Sequence, residues 1–188
     1  MKRATHIHAL GWLALAVYYV AVVLLHEEVQ QALMPLFHRW SFYGYELRLV
    51  IAWFLLGAPV AALVTVGMFR ARGWPGLAGW AALLVCVGVM DHWFLFSQSE
   101  RVHYVQYAIL FLGLRGLLGR AVPALLLAAA LGAGDEAYQA LVLYADRPDT
   151  TLDLKDIFLN LLGALIGLCT YTSLAGLRQK KMGTPDKR

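Results

Sequence analysis

The chain has 188 residues, 60% of them hydrophobic, and a mean hydropathy of +0.61. A soluble domain is usually about half apolar, and here the excess is gathered into long runs, which argues against an ordinary water-soluble domain. The formal net charge of +4 does not point to nucleic acid, because Lys and Arg gather at the ends of the apolar runs, where topology and anionic lipid surfaces account for them.

An apolar run of about 20 residues crosses the hydrocarbon core as a helix. The runs lack the period-two alternation of barrel strands. The expected fold class is therefore all-α: a polytopic transmembrane helix bundle of about six spans, near 9–25, 48–68, 77–96, 104–119, 121–144 and 156–177. The first run ends in Leu24-Leu25-His26-Glu27 without a small-residue cleavage pattern, so it reads as a retained span rather than a signal peptide. Segment 26–47 mixes aromatics with charges and suits an interfacial stretch, an amphipathic helix broken near Pro35. The fourth run is short and carries Gly113, Arg115, Gly116 and Gly119. If it is re-entrant, the count is five. The segment from Arg178 to Arg188 is a polar, basic tail. Cys86 and Cys169 both lie in apolar runs, the position of small core residues rather than of a disulfide framework.

Six spans place Lys2, Arg3, Arg70, Arg72, Arg115, Arg120, Arg178, Lys180, Lys181, Lys187 and Arg188 on one side, eleven of the sixteen basic residues. The other side holds Arg39, Arg48, Arg101, Arg147 and Lys155. The excess puts both termini in the cytoplasm.

Three polar patches interrupt this apolar background. Glu100, His103 and Tyr107, at i, i+3 and i+7, share one face of a helix at the entrance of the fourth span. In the fifth span Asp135 and Gln139 stack at i, i+4, with Glu136 about 100 degrees round. Each carboxylate at mid-bilayer costs about 2.5–3.5 kcal/mol on insertion scales, whereas each Leu returns about 0.5. Two adjacent acids must therefore be paired, protonated or open to a water-filled cavity. The third patch runs from Arg147, through Asp149 and Asp153, to Asp156, Asn160, Gly163 and Gly167, the last four forming one stripe of the sixth span. The topology sends all three patches to the outer side. The expectation is an outward polar pocket between spans four, five and six, which Asp91 and His92 could join.

These residues resemble the VanZ-like family of bacterial membrane proteins. The matching elements are Glu100 with His103-x-x-x-Tyr107, then Asp135-Glu136-x-x-Gln139, the Arg147 loop, and Asp156-x-x-x-Asn160-x-x-Gly163-x-x-x-Gly167. The resemblance covers about residues 98–170, so 98–177 reads as a VanZ-like core behind an N-terminal part, 1–97, with no clear counterpart. The separation from Arg147 to Asp156 is longer than the family's usual pattern. The resemblance implies a multi-span protein of the bacterial inner membrane connected with the cell envelope, and the family's namesake is associated with resistance to the glycopeptide teicoplanin. It supplies no reaction.

Two readings of the patches stay open. Glu100, His103, Tyr107, Asp135, Glu136, Gln139, Arg147, Asp156 and Asn160 bind an amphiphilic envelope ligand (a lipid-linked glycan, phospholipid head group or lipoglycopeptide), with Arg147 on its phosphate or carboxylate and Glu136 or Asp135 as a proton carrier. Alternatively, they hold helices in register within an accessory subunit that packs against other membrane subunits. The first reading draws on the tendency of intramembrane ionisable residues to be functional. Proton-coupled transport ranks third, because no inverted repeat is evident. Expected partners are membrane lipids, an envelope lipid or glycopeptide, or other membrane subunits, and not nucleic acid. No cofactor and no metal are expected: the chain has no Gly-rich phosphate loop, and nothing in the spacing of its His and acids fixes a ligand geometry.

Overall fold

The computed structural model of the protein describes residues 2–25, 41–42, 45–95, 98–146 and 152–181. They form five helices: α1 Lys2–Leu24, α2 Leu47–Trp93, α3 Val102–Leu118, α4 Ala121–Tyr138 and α5 Leu154–Lys181. A 3-10 turn, Gln98–Arg101, leads into α3, and a π-helical turn, Gln139–Leu143, continues α4. Before α2, β1 Ser41–Phe42 pairs antiparallel with β2 Tyr45–Glu46. The all-α class expected from the sequence is what the structure shows. Most of the interfacial segment 26–47, with Pro35, lies outside the described residues, as do Arg147, Asp149 and the tail beyond Lys181.

The helix α2 consists of two limbs. Gly73 has φ 63 and ψ −148, a backbone region essentially reserved for glycine, and the chain reverses there. Trp80 Nε1 donates to Thr65 Oγ1 at 2.9 Å. In a straight helix those two residues, 15 apart, would be separated by about 22 Å, so the limbs run antiparallel. Pro75 sits in the first turn of the second limb, where no helical partner is needed for the missing N–H.

A tighter reversal joins α3 to α4. Gly119 has φ 67, and its N–H donates to Arg115 O at 3.1 Å, closing α3 with a left-handed cap.

The helix α5 lies at the centre, against α2, α3 and α4. Its contact with α3 is close because of two glycines. A Cβ at Gly163 would stand 2.8 Å from His103 O and 2.9 Å from Tyr104 O, and one at Gly167 would stand 2.8 Å from Ala108 O. Small residues at such positions let helix backbones approach. The order of these contacts shows that α3 and α5 run parallel. By contrast, α1 runs antiparallel to α3, with Leu15 against Gly113 and the Tyr18 hydroxyl donating to Gln106 O at 2.9 Å. Glu100, His103, Asp135, Glu136 and Asp153–Asn160 thus come to one end, the polar end. Gly73, Gly119, Arg120 and Arg178 come to the other, the basic end.

The buried apolar residues form two clusters. One joins both limbs of α2 to α5 through Val64, Met68, Trp80, Leu83, Leu159 and Leu162. The other joins α3, α4 and α5 through Tyr107, Phe111, Leu114, Ala124, Ala128 and Ala164. The outer surface is also apolar: Leu13, Val17, Leu55, Val85, Ile109, Val122, Leu126 and Phe158, spread over all five helices, are exposed. Two stretches, Leu55–Trp93 and Leu154–Arg178, are long and apolar enough to cross a membrane, and His8–Leu24 and Val102–Leu118 are shorter apolar helices.

Candidate functional site

The polar end has a buried layer and a mouth. In the buried layer, His103 and Tyr107 occupy the same face of α3, and Asn160 faces them from α5. Asp135 and Glu136 close the layer from α4. All five are at most 3% exposed. Tyr107 OH donates to Asp135 Oδ2 at 3.0 Å, and Gln139 Nε2 donates to Asp135 Oδ1 at 3.0 Å, so both carboxylate oxygens are engaged. Asn160 Nδ2 donates to Gly132 O at 3.3 Å, which turns its Oδ1 toward His103 Nδ1 at 2.7 Å. An amide oxygen only accepts, so Nδ1 carries the proton in that contact.

Glu136 differs from its neighbour. It is 3% exposed, yet its Oε1 has no hydrogen-bond partner among the described residues. Its surroundings hold three further acids, Asp135, Asp153 and Asp156, with Asn160 in reach. An orphaned buried acceptor is costly. One held among like charges is an uncommon feature of a purely structural layer.

The mouth is a chain of ion pairs. Lys155 Nζ lies 3.0 Å from Glu100 Oε2 and 3.7 Å from both Asp153 Oδ2 and Asp156 Oδ1. Arg101 Nε lies 2.9 Å from Asp91 Oδ2, and Tyr104 OH donates to the other Asp91 oxygen at 3.4 Å. Asp153 also caps α5: its Oδ1 accepts from the N–H groups of Lys155 at 2.9 Å and Asp156 at 3.4 Å. Burial pushes the Glu100 carboxyl up, against the opposing pull of Lys155.

Of the residues singled out from the sequence, His103, Tyr107, Asp135, Glu136, Gln139 and Asn160 meet in the buried layer. Glu100 and Asp156 meet in the mouth, one shell further out. Arg147 lies outside the described residues. Asp91 belongs to the mouth, whereas His92 is exposed and packs edge-on against Trp93. Sequence reasoning missed Lys155, Arg101 and Tyr104 as site residues. Each needed knowledge of which helix end it meets. The π-helical turn was also missed: it starts at Gln139, whose carbonyl accepts from Tyr144 N at 2.9 Å, and such turns are frequent at functional sites. Among the described residues, no group of three His, Cys, Asp or Glu side chains is arranged to hold a metal ion.

A cavity of about 510 Å³ lies elsewhere, between the two limbs of α2 and α5, and its lining includes none of the polar-layer residues. No family model matches the chain, and neither the curated proteins nor the solved structures give a match.

Proposed function

We propose that the chain is a VanZ-like, multi-pass protein of a bacterial inner membrane, and that its polar end binds the head of an amphiphilic envelope ligand. The single observation that supports this most is the orphaned Glu136 Oε1, buried beside Asp135 and Asn160. A site with that many carboxylate and carbonyl acceptors favours a head group rich in donors. Hydroxyls of a lipid-linked glycan, amides or ammonium groups of a lipoglycopeptide, or a phospholipid head with such groups meet that demand. Lys155, Arg101 and Arg147 are the cations for a phosphate or carboxylate on the same ligand. No reaction is assigned.

In this reading six spans arise from α1, the two limbs of α2, α3, α4 with its π turn, and α5. The apolar exposed faces meet lipid, and the basic end, with both termini, faces the cytoplasm. The polar end then opens to the outer leaflet. The order of the matched elements, from Glu100 to Gly167, supports the VanZ-like assignment and its association with teicoplanin resistance.

The experiment is a growth assay on teicoplanin with cells producing the wild-type protein or the E136A variant at equal levels. Loss of tolerance in the variant is the expected result. Equal tolerance, together with unchanged ligand binding, would remove the basis of the proposal.

A second reading rests on the bonds that tie α3, α4 and α5 together, Tyr107 to Asp135 and His103 to Asn160. In it the layer fixes helix register in an accessory subunit of a larger membrane complex. A stoichiometric complex on native purification, undisturbed by E136A, would favour this reading.

A further inference from the structure

The cavity between the limbs of α2 and α5 is separate from the polar site and lies on a different face of α5. One wall comprises Gly76, Gly79 and Ala82, and the other is α5 from Phe158 to Thr172. That stretch of α5 is about 21 Å long, more than one leaflet's half of a hydrocarbon core about 30 Å thick. The lining is mainly apolar; its one charged side chain is Arg72, at the basic end, and the hydroxyl of Thr172 is taken up by Leu168 O at 2.9 Å. Arg72 is exposed, and among the described residues it has no ion-pair or hydrogen-bond partner. The cavity's about 510 Å³ falls within the range of small-molecule sites, roughly 300–1,000 Å³.

We propose that this groove holds one acyl chain of an anionic phospholipid whose phosphate sits on the Arg72 guanidinium. Charge complementarity and shape argue for that occupant together. A long apolar slot excludes water, so a hydrocarbon chain fills it in a bilayer. The single guanidinium at its mouth matches phosphate in a planar, two-pronged geometry that no other lining residue offers. The proposal rests on residence in a membrane and is independent of the polar site.

Both cysteines of the chain, Cys86 and Cys169, line the groove, so thiol alkylation reports its occupancy and native mass spectrometry counts the lipid. Protein in mild detergent is titrated with phosphatidylglycerol, with diacylglycerol of the same chains, and with inorganic phosphate. Phosphatidylglycerol should slow alkylation and bind as a single copy, roughly tenfold more tightly than diacylglycerol, the effect of one charge-assisted hydrogen bond. Inorganic phosphate should do nothing. R72Q should bring phosphatidylglycerol down to the level of diacylglycerol. G79F should abolish retention of both, since a Cβ at Gly79 meets nothing within 4 Å and a ring there enters the groove. A82F is the second blocking variant should G79F fail to elute as a monodisperse species. Unslowed alkylation with phosphatidylglycerol, an undiminished preference in R72Q, or protection by inorganic phosphate alone would each overturn the proposal.

Discussion

Tyr107 and Asp135 meet across the α3–α4 hairpin: the phenol donates to Asp135 Oδ2 over 3.0 Å, and both side chains are 1% exposed. Y107F removes the donor and keeps the ring, leaving a buried carboxylate oxygen with one partner fewer. The expected loss is about 1–3 kcal/mol of stability. Thermal melting in detergent measures it. A cycle with D135N should show that the two changes are strongly non-additive, because they break one interaction. Additive effects would mean that the contact is not formed.

The α3–α5 interface gives a second prediction. G163A places a methyl group 2.8–2.9 Å from two carbonyl oxygens of α3, contacts a backbone cannot relieve without moving the helix. It should cost about 1–3 kcal/mol, in the range of overpacking. G57A is the matched control, since nothing lies within 4 Å of a Cβ there, and it should be neutral or slightly stabilising. Melting temperatures of the two variants side by side decide the point.

The reversal in α2 depends on Gly73. G73A forces an L-residue to φ 63 and ψ −148, at a cost of about 1–3 kcal/mol. Helix content by circular dichroism should be retained while the melting temperature falls. A G73A protein as stable as the wild type would mean that the two limbs do not turn back at this residue.

The mouth sets a pH dependence. The Glu100 carboxyl is raised by burial, so the native state holds that proton more tightly than the unfolded state does. Stability from this group therefore falls as pH rises from about 4.3 through the folded value. Melting temperature should decline as pH rises through that range. K155M takes away the cation that pulls against burial, so it should move this decline to higher pH; a decline left where it was would assign it to another group.

Periodicity made several of these relationships legible in the sequence. The Asp135–Gln139 stack follows from i, i+4 spacing alone, and so does the placement of Asn160, Gly163 and Gly167 on one stripe. Local spacing does not say which residue of one helix meets which of another. Hence Tyr107 with Asp135, His103 with Asn160, and Glu100 with Lys155 had to come from the structure. Their register is set by the Gly119 cap and the close glycine contacts. The groove at Arg72 was also hidden, because it arises from small residues on one limb of α2 facing a different helix.

The most direct test of the ligand-binding account is purification in gentle detergent, followed by mass spectrometry of everything that co-elutes. The account predicts a lipid or glycolipid with a hydroxyl- or amide-rich head that accompanies the wild type and is lost from E136Q. An identical set of co-eluting molecules in both proteins, with both equally well folded, would contradict it.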